Sequence, residues 1–252
     1  MHFSVPDLGS AHFWAALWKI IVANVVLSGD NAVVIALAAH GLPDRLRRPA
    51  ILFGSLGAIV MLAIFCAAVN YLMTIPYLKL VGGALLLWIG IKLLADEEDA
   101  ADAKVKAHPS LLAAVGTIIL ANTVMSLDNS IAMAAAAHGN MTLIAIGLAL
   151  SVPIIMLGAA IIASVLDRFP WVAVVGAGLI GWIAGEVIAG DGRFDEVVNG
   201  QVVEMVRPGS TAAWLDATIP NAELALSAVG AGLVLMVGLY LSHRNTRRAE
   251  KG

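Results

Sequence analysis

Charge is scarce in this chain. Asp, Glu, Lys and Arg make up 13% of its 252 residues and hydrophobic residues 60%, about half the charged share of a typical soluble domain. A soluble fold of this length would lack the polar side chains to cover its surface, so a polytopic membrane protein is expected. A single cysteine, Cys66, lies in an apolar run. That excludes an intrachain disulfide and a zinc site of the cysteine type. The net charge is only −3 and no basic, aromatic-laced stretch occurs, which excludes a nucleic-acid partner. There is no nucleotide-binding motif, so the chain has no direct ATP drive of its own. The opening MHFSVPDLGSAHF lacks a positive n-region, and the apolar run behind it outlasts a signal peptide; it reads as a retained first helix.

What the chain does have is apolar runs of about twenty residues, the length that crosses a bilayer as a helix. Seven are expected, at 13–39, 49–73, 77–95, 109–137, 141–166, 170–189 and 222–242. With seven spans, Arg45, Arg47, Arg48, Lys104, Lys106, Arg168, Arg244, Arg247, Arg248 and Lys251 fall on one side. Lys79, Arg193 and Arg207 fall on the other. The positive-inside bias then puts the N-terminus outside and the C-terminus in the cytoplasm. The longest loop, 191–221, is external. In it, Asn199-Gly200 separates two β-branched-rich runs, a signal for a small extracytoplasmic β-hairpin.

The chain also repeats itself. A shift of 98 residues aligns Asn24, Ser28, Asp30 and Asn31 with Asn122, Ser126, Asp128 and Asn129, and carries Ala38-Ala39-His40-Gly41 onto Ala136-Ala137-His138-Gly139. A shift of 94 brings Trp88 onto Trp182 and Lys92 onto Glu186. Each repeat spans three helices, an odd number, so the second enters the membrane from the opposite side. The fold class expected is an all-α membrane protein forming one transporter domain. It consists of inverted repeats at about 13–96 and 109–190, the outer loop, and an extra helix at 222–242. Secondary transporters built this way bind their cargo between the repeats.

The repeated segment places Asp30 and Asp128 inside apolar helices, where an ionised carboxylate costs at least ~3 kcal/mol and is rarely idle. Two carboxylates brought together by the repeat axis repel each other, and a divalent cation relieves that. Asn31, Asn129, Ser28 and Ser126 add neutral oxygens. This all-oxygen set suits Mg²⁺, Ca²⁺ or Mn²⁺ better than Zn²⁺ or Cu⁺. At about 100° per residue, Asn24, Ser28 and Asn31 share one face, as do Asn122, Ser126 and Asn129, while Asp30 lies off that stripe. A helix break at Gly29 would re-aim it; Leu127 stands at the equivalent place in the second repeat. Plainer roles stand beside these. Asn24 and Asn122 suit a bond across a helix interface. Lys92 suits snorkelling to the interface, Glu186 a gate, proton site or rim, and His40 and His138 helix ends. Gly181 and Gly185 suit close helix packing, and Pro153 a kink.

SGDNAVVIALAA at Ser28, SLDNSIAMAAAAHG at Ser126 and the patterns around Trp88 and Trp182 resemble the TerC family of integral membrane proteins, specifically its YjbE-like branch. The resemblance covers the first six spans. It implies Mn²⁺ efflux across the cytoplasmic membrane, with the family's acidic motif on Asp30, Asn31, Asp128 and Asn129. Asn24, Asn122, Glu186 and Lys92 are supporting positions. The expected activity is secondary transport rather than catalysis, driven by an ion gradient with protons the first candidate. Mn²⁺ is substrate, no prosthetic group is needed, the bilayer is the surrounding partner, and a homodimer is the oligomeric option. Three rival readings stay open. One is export of Ca²⁺ or a cationic amino acid, another a non-transporting helper for metallation of secreted proteins. The third, an intramembrane aspartyl protease, fits poorly, because neither aspartate sits in a Tyr-Asp or Gly-x-Gly-Asp setting.

Overall fold

The computed structural model describes residues 11–27, 29–40, 42–72, 75, 77–102, 110–137, 140–169, 171–198 and 201–249. Along the chain run α1 (Ala11–Leu27), α2 (Gly29–His40), α3 (Asp44–Leu72), α4 (Leu78–Asp102) and α5 (Leu111–Ala136). They are followed by α6 (Met141–Arg168), α7 (Trp171–Ala189), strands β1 (Arg193–Val198) and β2 (Gln201–Val206), α8 (Thr211–Thr218) and α9 (Ala222–Ala249). Among the described residues, five stretches are long and apolar enough to cross a membrane: Arg45–Ala68, Leu78–Ala95, Met141–Arg168, Trp171–Ala189 and Ala222–Arg244. Their outward faces carry large apolar side chains such as Leu157, Ile161, Val229 and Met236, a surface suited to lipid rather than water.

Two expected spans are not among the five. The first is described as α1 and α2, with Ser28 between them outside the described residues, as are Gly41, His138, Lys104, Lys106 and Lys251. The other, α5, presents only Leu111–Ser126 as an apolar stretch. The third expected span continues as helix beyond Ala95, through the acidic run to Asp102.

Helices in lipid gain nothing from the hydrophobic effect against one another, so close packing has to hold them together. Small residues permit it here. α7 packs on α9 along Gly181, Gly185 and Gly230: a Cβ on Gly181 would come within 2.5 Å of the Gly230 carbonyl oxygen, and one on Gly185 would run into the Leu226 carbonyl. The expected role of Gly181 and Gly185 is therefore met. α3 packs on α5 in the same manner, with Gly54 against Ile118 and Gly57 against Ile119, and α6 packs on α1 with Gly147 against Ile20. The cores formed are made of small and branched residues, among them Ala36, Leu86, Ala121, Ala163 and Ala184 in one cluster and Ala39, Ala50, Ile118 and Ala159 in another. α6 passes through Pro153 as one helix and starts on Asn140, whose side chain accepts from the Thr142 and Leu143 N–H groups at 3.1 and 3.4 Å.

Ionic contacts tie the ends of the bundle. At one end Asp167 on α6 meets His40 Nε2 at 3.2 Å and Arg47 Nη1 at 2.6 Å, while Arg47 Nη2 donates to the His40 carbonyl at 3.1 Å. The C-terminus of α2 thus gains a capping donor. At the other end, β1 and β2 pair antiparallel with Arg193 opposite Val206 and Val198 opposite Gln201; the turn residues Asn199 and Gly200 lie outside the described residues. The rest of the expected loop is not irregular. Ser210 accepts from the Ala213 N–H at 3.3 Å and starts α8, the hydroxyl cap that favours a helix start. Arg193 fastens the strands to the bundle, meeting Asp216 on α8 at 2.6 Å, Glu223 on α9 at 2.7 Å and Glu204 at 3.5 Å. Burial alone would lower the guanidinium pKa, but Glu223 and Asp216 outweigh it and hold the group above its ordinary value.

Two outcomes are expected. Gly185→Leu has no room against the α9 backbone and should lower stability by at least about 3 kcal/mol, read as the loss of a folded peak and a lower Tm in detergent. Gly232→Leu, where a Cβ meets nothing within 4 Å, should leave Tm unchanged. Arg193→Met should cost about 1 kcal/mol at low salt, and the deficit should shrink in 1 M NaCl; a salt-independent deficit would show that packing, not charge, fastens the strands.

Candidate functional site

α1 and α2 meet at the motif. α1 ends at Leu27 and α2 begins at Gly29, with Asp30 in the first turn of α2. A carboxylate there sits at the positive end of the helix dipole, and one Asp30 oxygen accepts the Asn31 N–H at 2.8 Å. The break expected at Gly29 concerns Ser28, which lies outside the described residues. In the second half α5 runs unbroken from Leu111 to Ala136 through Leu127 and Asp128.

Four of the polar residues singled out by the repeat come together. Asn24 of α1, Asn31 of α2, and Asn122 and Ser126 of α5 line one buried cavity of about 10 Å³, room for a single water-sized sphere. All are at least nine-tenths buried, Asn24 at 1% exposure and Asn122 at 6%. The stripe of one face per helix therefore aims each half's amides at the same point. Ser55 of α3 joins them at 1% exposure, and apolar side chains from α2, α3 and α6 complete the wall. The Asn31 Oδ1 and Ser55 Oγ atoms are buried there with no hydrogen-bond partner.

The remaining site residues divide. Asp30 is half-buried, and its side chain is not part of the cavity wall. Its carboxylate accepts the Asn31 backbone N–H, and of the Asp-Asn pair only Asn31 lines the cavity. Asn129 is buried at 8% exposure beyond the cavity wall. Asp128 lies on α5 with its side chain outside what the structure describes, as is all of Ser28. Among the described residues no group of three or more His, Cys, Asp and Glu side chains could hold a metal. Lys92 is exposed, with Nζ 5.4 Å from the Trp88 ring centroid, a cation–π contact that suits a snorkelling lysine. Glu186 is exposed on α7.

Ser55 was missed because it has no counterpart in the shifted alignment. Its signal is local: it sits in Gly54-Ser55-Leu56-Gly57, a polar residue between two glycines of an apolar helix. Both glycines face α5, where a Cβ on Gly54 would come within 2.7 Å of Ile118. A hydroxyl beside such a close contact lies within reach of the neighbouring helix, here beside Asn122.

Residues 9–248 match the profile of the Integral membrane protein TerC family. The chain is 42% identical over 176 residues to the membrane protein YjbE of Bacillus subtilis, covering 70% of this chain and 80% of that one. It is 27% identical over 179 residues to the B. subtilis membrane protein YceF, covering 68% and 69%. Against the inner membrane protein YgdQ of Escherichia coli K12 the identity is 26% over 173 residues, covering 62% and 73%. No solved structure matches. With five helices among the described residues fit to cross a bilayer and a family match over nearly its whole length, the chain is a multi-pass integral membrane protein and belongs to the TerC family.

Proposed function

We propose that the protein is a secondary transporter that exports Mn²⁺ from the cytoplasm through a site between two inverted three-helix repeats. The observation that carries this reading is the single buried cavity lined by Asn24 and Asn31 from the first half and Asn122 and Ser126 from the second. A polar pocket shared by two copies of one motif, deep in an apolar bundle, is where a transporter of inverted repeats holds its cargo.

Helix packing supports the repeat arrangement. Ile20 and Ile118 are equivalent positions under the 98-residue shift. Ile118 on α5 packs into Gly54 of α3, and Ile20 on α1 into Gly147 of α6. The third helix of each half does likewise: Gly82 of α4 receives Val124 of α5, and Gly176 of α7 receives Val33 and Leu37 of α2. The later helices of each half thus pack on the opening helix of the other half, which supports the inverted-repeat reading. Charge supports the orientation. His40, Arg47 and Asp167 gather at one end, whereas Lys79, Arg193 and Arg207 line a cavity of about 100 Å³ at the other.

In this reading Asp30 and Asp128 are the charged ligands, and Asn129 and Ser28 stand beside them in sequence. Asn31 and Ser126 supply neutral oxygens toward the cavity. The two halves rock about the site and expose it to each side in turn. Mn²⁺ is the substrate that the resemblance favours among oxygen-seeking divalent ions, and an ion gradient supplies the energy.

The test is Mn²⁺ resistance in a cell lacking its own exporter, together with flux in proteoliposomes. The wild-type protein should restore growth in Mn²⁺. Asp30→Ala and Asp128→Ala, expressed at equal level, should lose at least about tenfold in flux, as metal sites do when a supporting group is removed. Variants as active as wild type would sink the ligand assignment. Competition by Ca²⁺ or arginine would identify another cargo, and no cation flux from the purified protein would favour the helper role.

A further inference from the structure

We propose that Asp167, Arg47 and His40 form an ionic latch that holds the cytoplasmic end of the bundle closed, and that breaking it opens the cavity to the cytoplasm. The contact stands on its own geometry. That it joins two moving halves, and that its end is the cytoplasmic one, rests on the transport function proposed above. Asp167 belongs to α6, in the second half; His40 and Arg47 belong to α2 and α3, in the first. Asp167 Oδ2 accepts from Arg47 Nη1 at 2.6 Å, and its Oδ1 lies 3.2 Å from His40 Nε2. Arg47 Nη2 donates to the His40 carbonyl at 3.1 Å. One carboxylate therefore ties two helices of one half to a helix of the other.

Two observations separate this cluster from an incidental surface pair. The first is where the charges stand. Asp167 is in the last turn of α6 and Arg47 in the first turn of α3. A carboxylate is disfavoured at a helix C-terminus, and a cation at a helix N-terminus. Each charge is thus at the wrong end of its own helix, and only their mutual contact accounts for both. The second is what lies between the cluster and the cavity. Ile35 and Ala39 of α2 are buried with Ala50 and Ile51 of α3 and with Ile155 and Ala159 of α6. Ile35 and Ile155 also line the cavity, and Ala39 adjoins His40, so this apolar cluster reaches from cavity to latch. α2 carries Asn31 in the cavity wall near one end and His40 in the latch at the other. To uncover the cavity on this side, α2 and α3 must part from α6, and Asp167 holds both. At 47% exposure for the Asp167 side chain, such a pair shifts an equilibrium by about fivefold at most. That is weak for a brace but suits a latch, which has to bias two nearly balanced states without locking one of them.

The experiment uses the full-length protein in membrane vesicles and places a cysteine between latch and cavity, as Ala39→Cys. The readout is its rate of reaction with a charged methanethiosulfonate reagent. The chain without that substitution, whose cysteine Cys66 is buried, sets the background. At the cytoplasmic face of inside-out vesicles, Asp167→Arg or Arg47→Asp should speed the reaction about threefold or more. The double variant, Arg47→Asp with Asp167→Arg, remakes the pair with its signs exchanged and should bring the rate back toward that of the parent. Should Asp167→Arg fail to fold, Asp167→Asn removes the charge at nearly constant shape and should also speed the reaction. Unchanged rates in the single variants overturn the latch; a lower Tm beside them leaves a static brace. A double variant as fast as the single ones overturns it too, because the pair is then not what was broken. Acceleration only from the outer face, in right-side-out vesicles, overturns the cytoplasmic placement. Mn²⁺ flux in proteoliposomes separates the two readings. Absence of flux with the reaction pattern intact overturns the proposed export and supports the latch alone. Normal flux with unchanged reaction rates overturns the latch alone.

Discussion

The distance between α3 and α5 is the constraint on which the interior depends. In lipid no hydrophobic force draws these helices together, and only close packing holds them. Gly54 and Gly57 let α3 approach until Ile118 and Ile119 occupy the space where side chains would stand. At that distance Ser55 reaches the same small cavity as Asn122 and Ser126. Were the two glycines alanines, α3 would have to move away or shift along α5, and the polar wall would open. The apolar contact thus sets the dimensions of the polar one. The matching contact of Gly147 with Ile20 fixes α6 against α1 and holds Asn24 from the opposite side.

The two copies of the motif carry the same polar residues but do not present them alike. Asn24 and Asn31 of the first copy both line the cavity, as do Asn122 and Ser126 of the second. Asn129, the counterpart of Asn31, is buried beyond that wall. The pseudo-symmetry of packing is therefore not a symmetry of the site.

Much of this was legible in the sequence, for identifiable reasons. Helix extents follow from long apolar runs, which leave little choice of structure in a bilayer. The convergence of Asn24, Asn31, Asn122 and Ser126 followed from a spacing that places them on one face per helix. The direction of Asp30 did not follow: the break was expected to turn it toward Asn31, yet a carboxylate at a helix start finds a donor in the local backbone, and that contact wins. Ser55 was illegible because its place depends on the register of α3 against α5, a tertiary quantity set by Gly54 and Gly57. α8 hid in a loop because eight residues are too few for periodicity to show; only its Ser210 cap marks it.

Asp30 and Asn31 are adjacent in the chain, yet one is charged and outside the cavity wall while the other is neutral and within it. That separation has a physical consequence. A carboxylate in the wall would draw any cation into a small space and bind it too tightly to leave. A neutral wall holds an ion only as well as its oxygens replace the water lost, so the ion can also depart. Placed beside the wall, the carboxylate can attract a cation without trapping it in the cavity. Attraction and release are thereby assigned to different side chains of a single dipeptide, and the hydrogen bond from the Asn31 N–H to the Asp30 carboxylate helps to keep them apart.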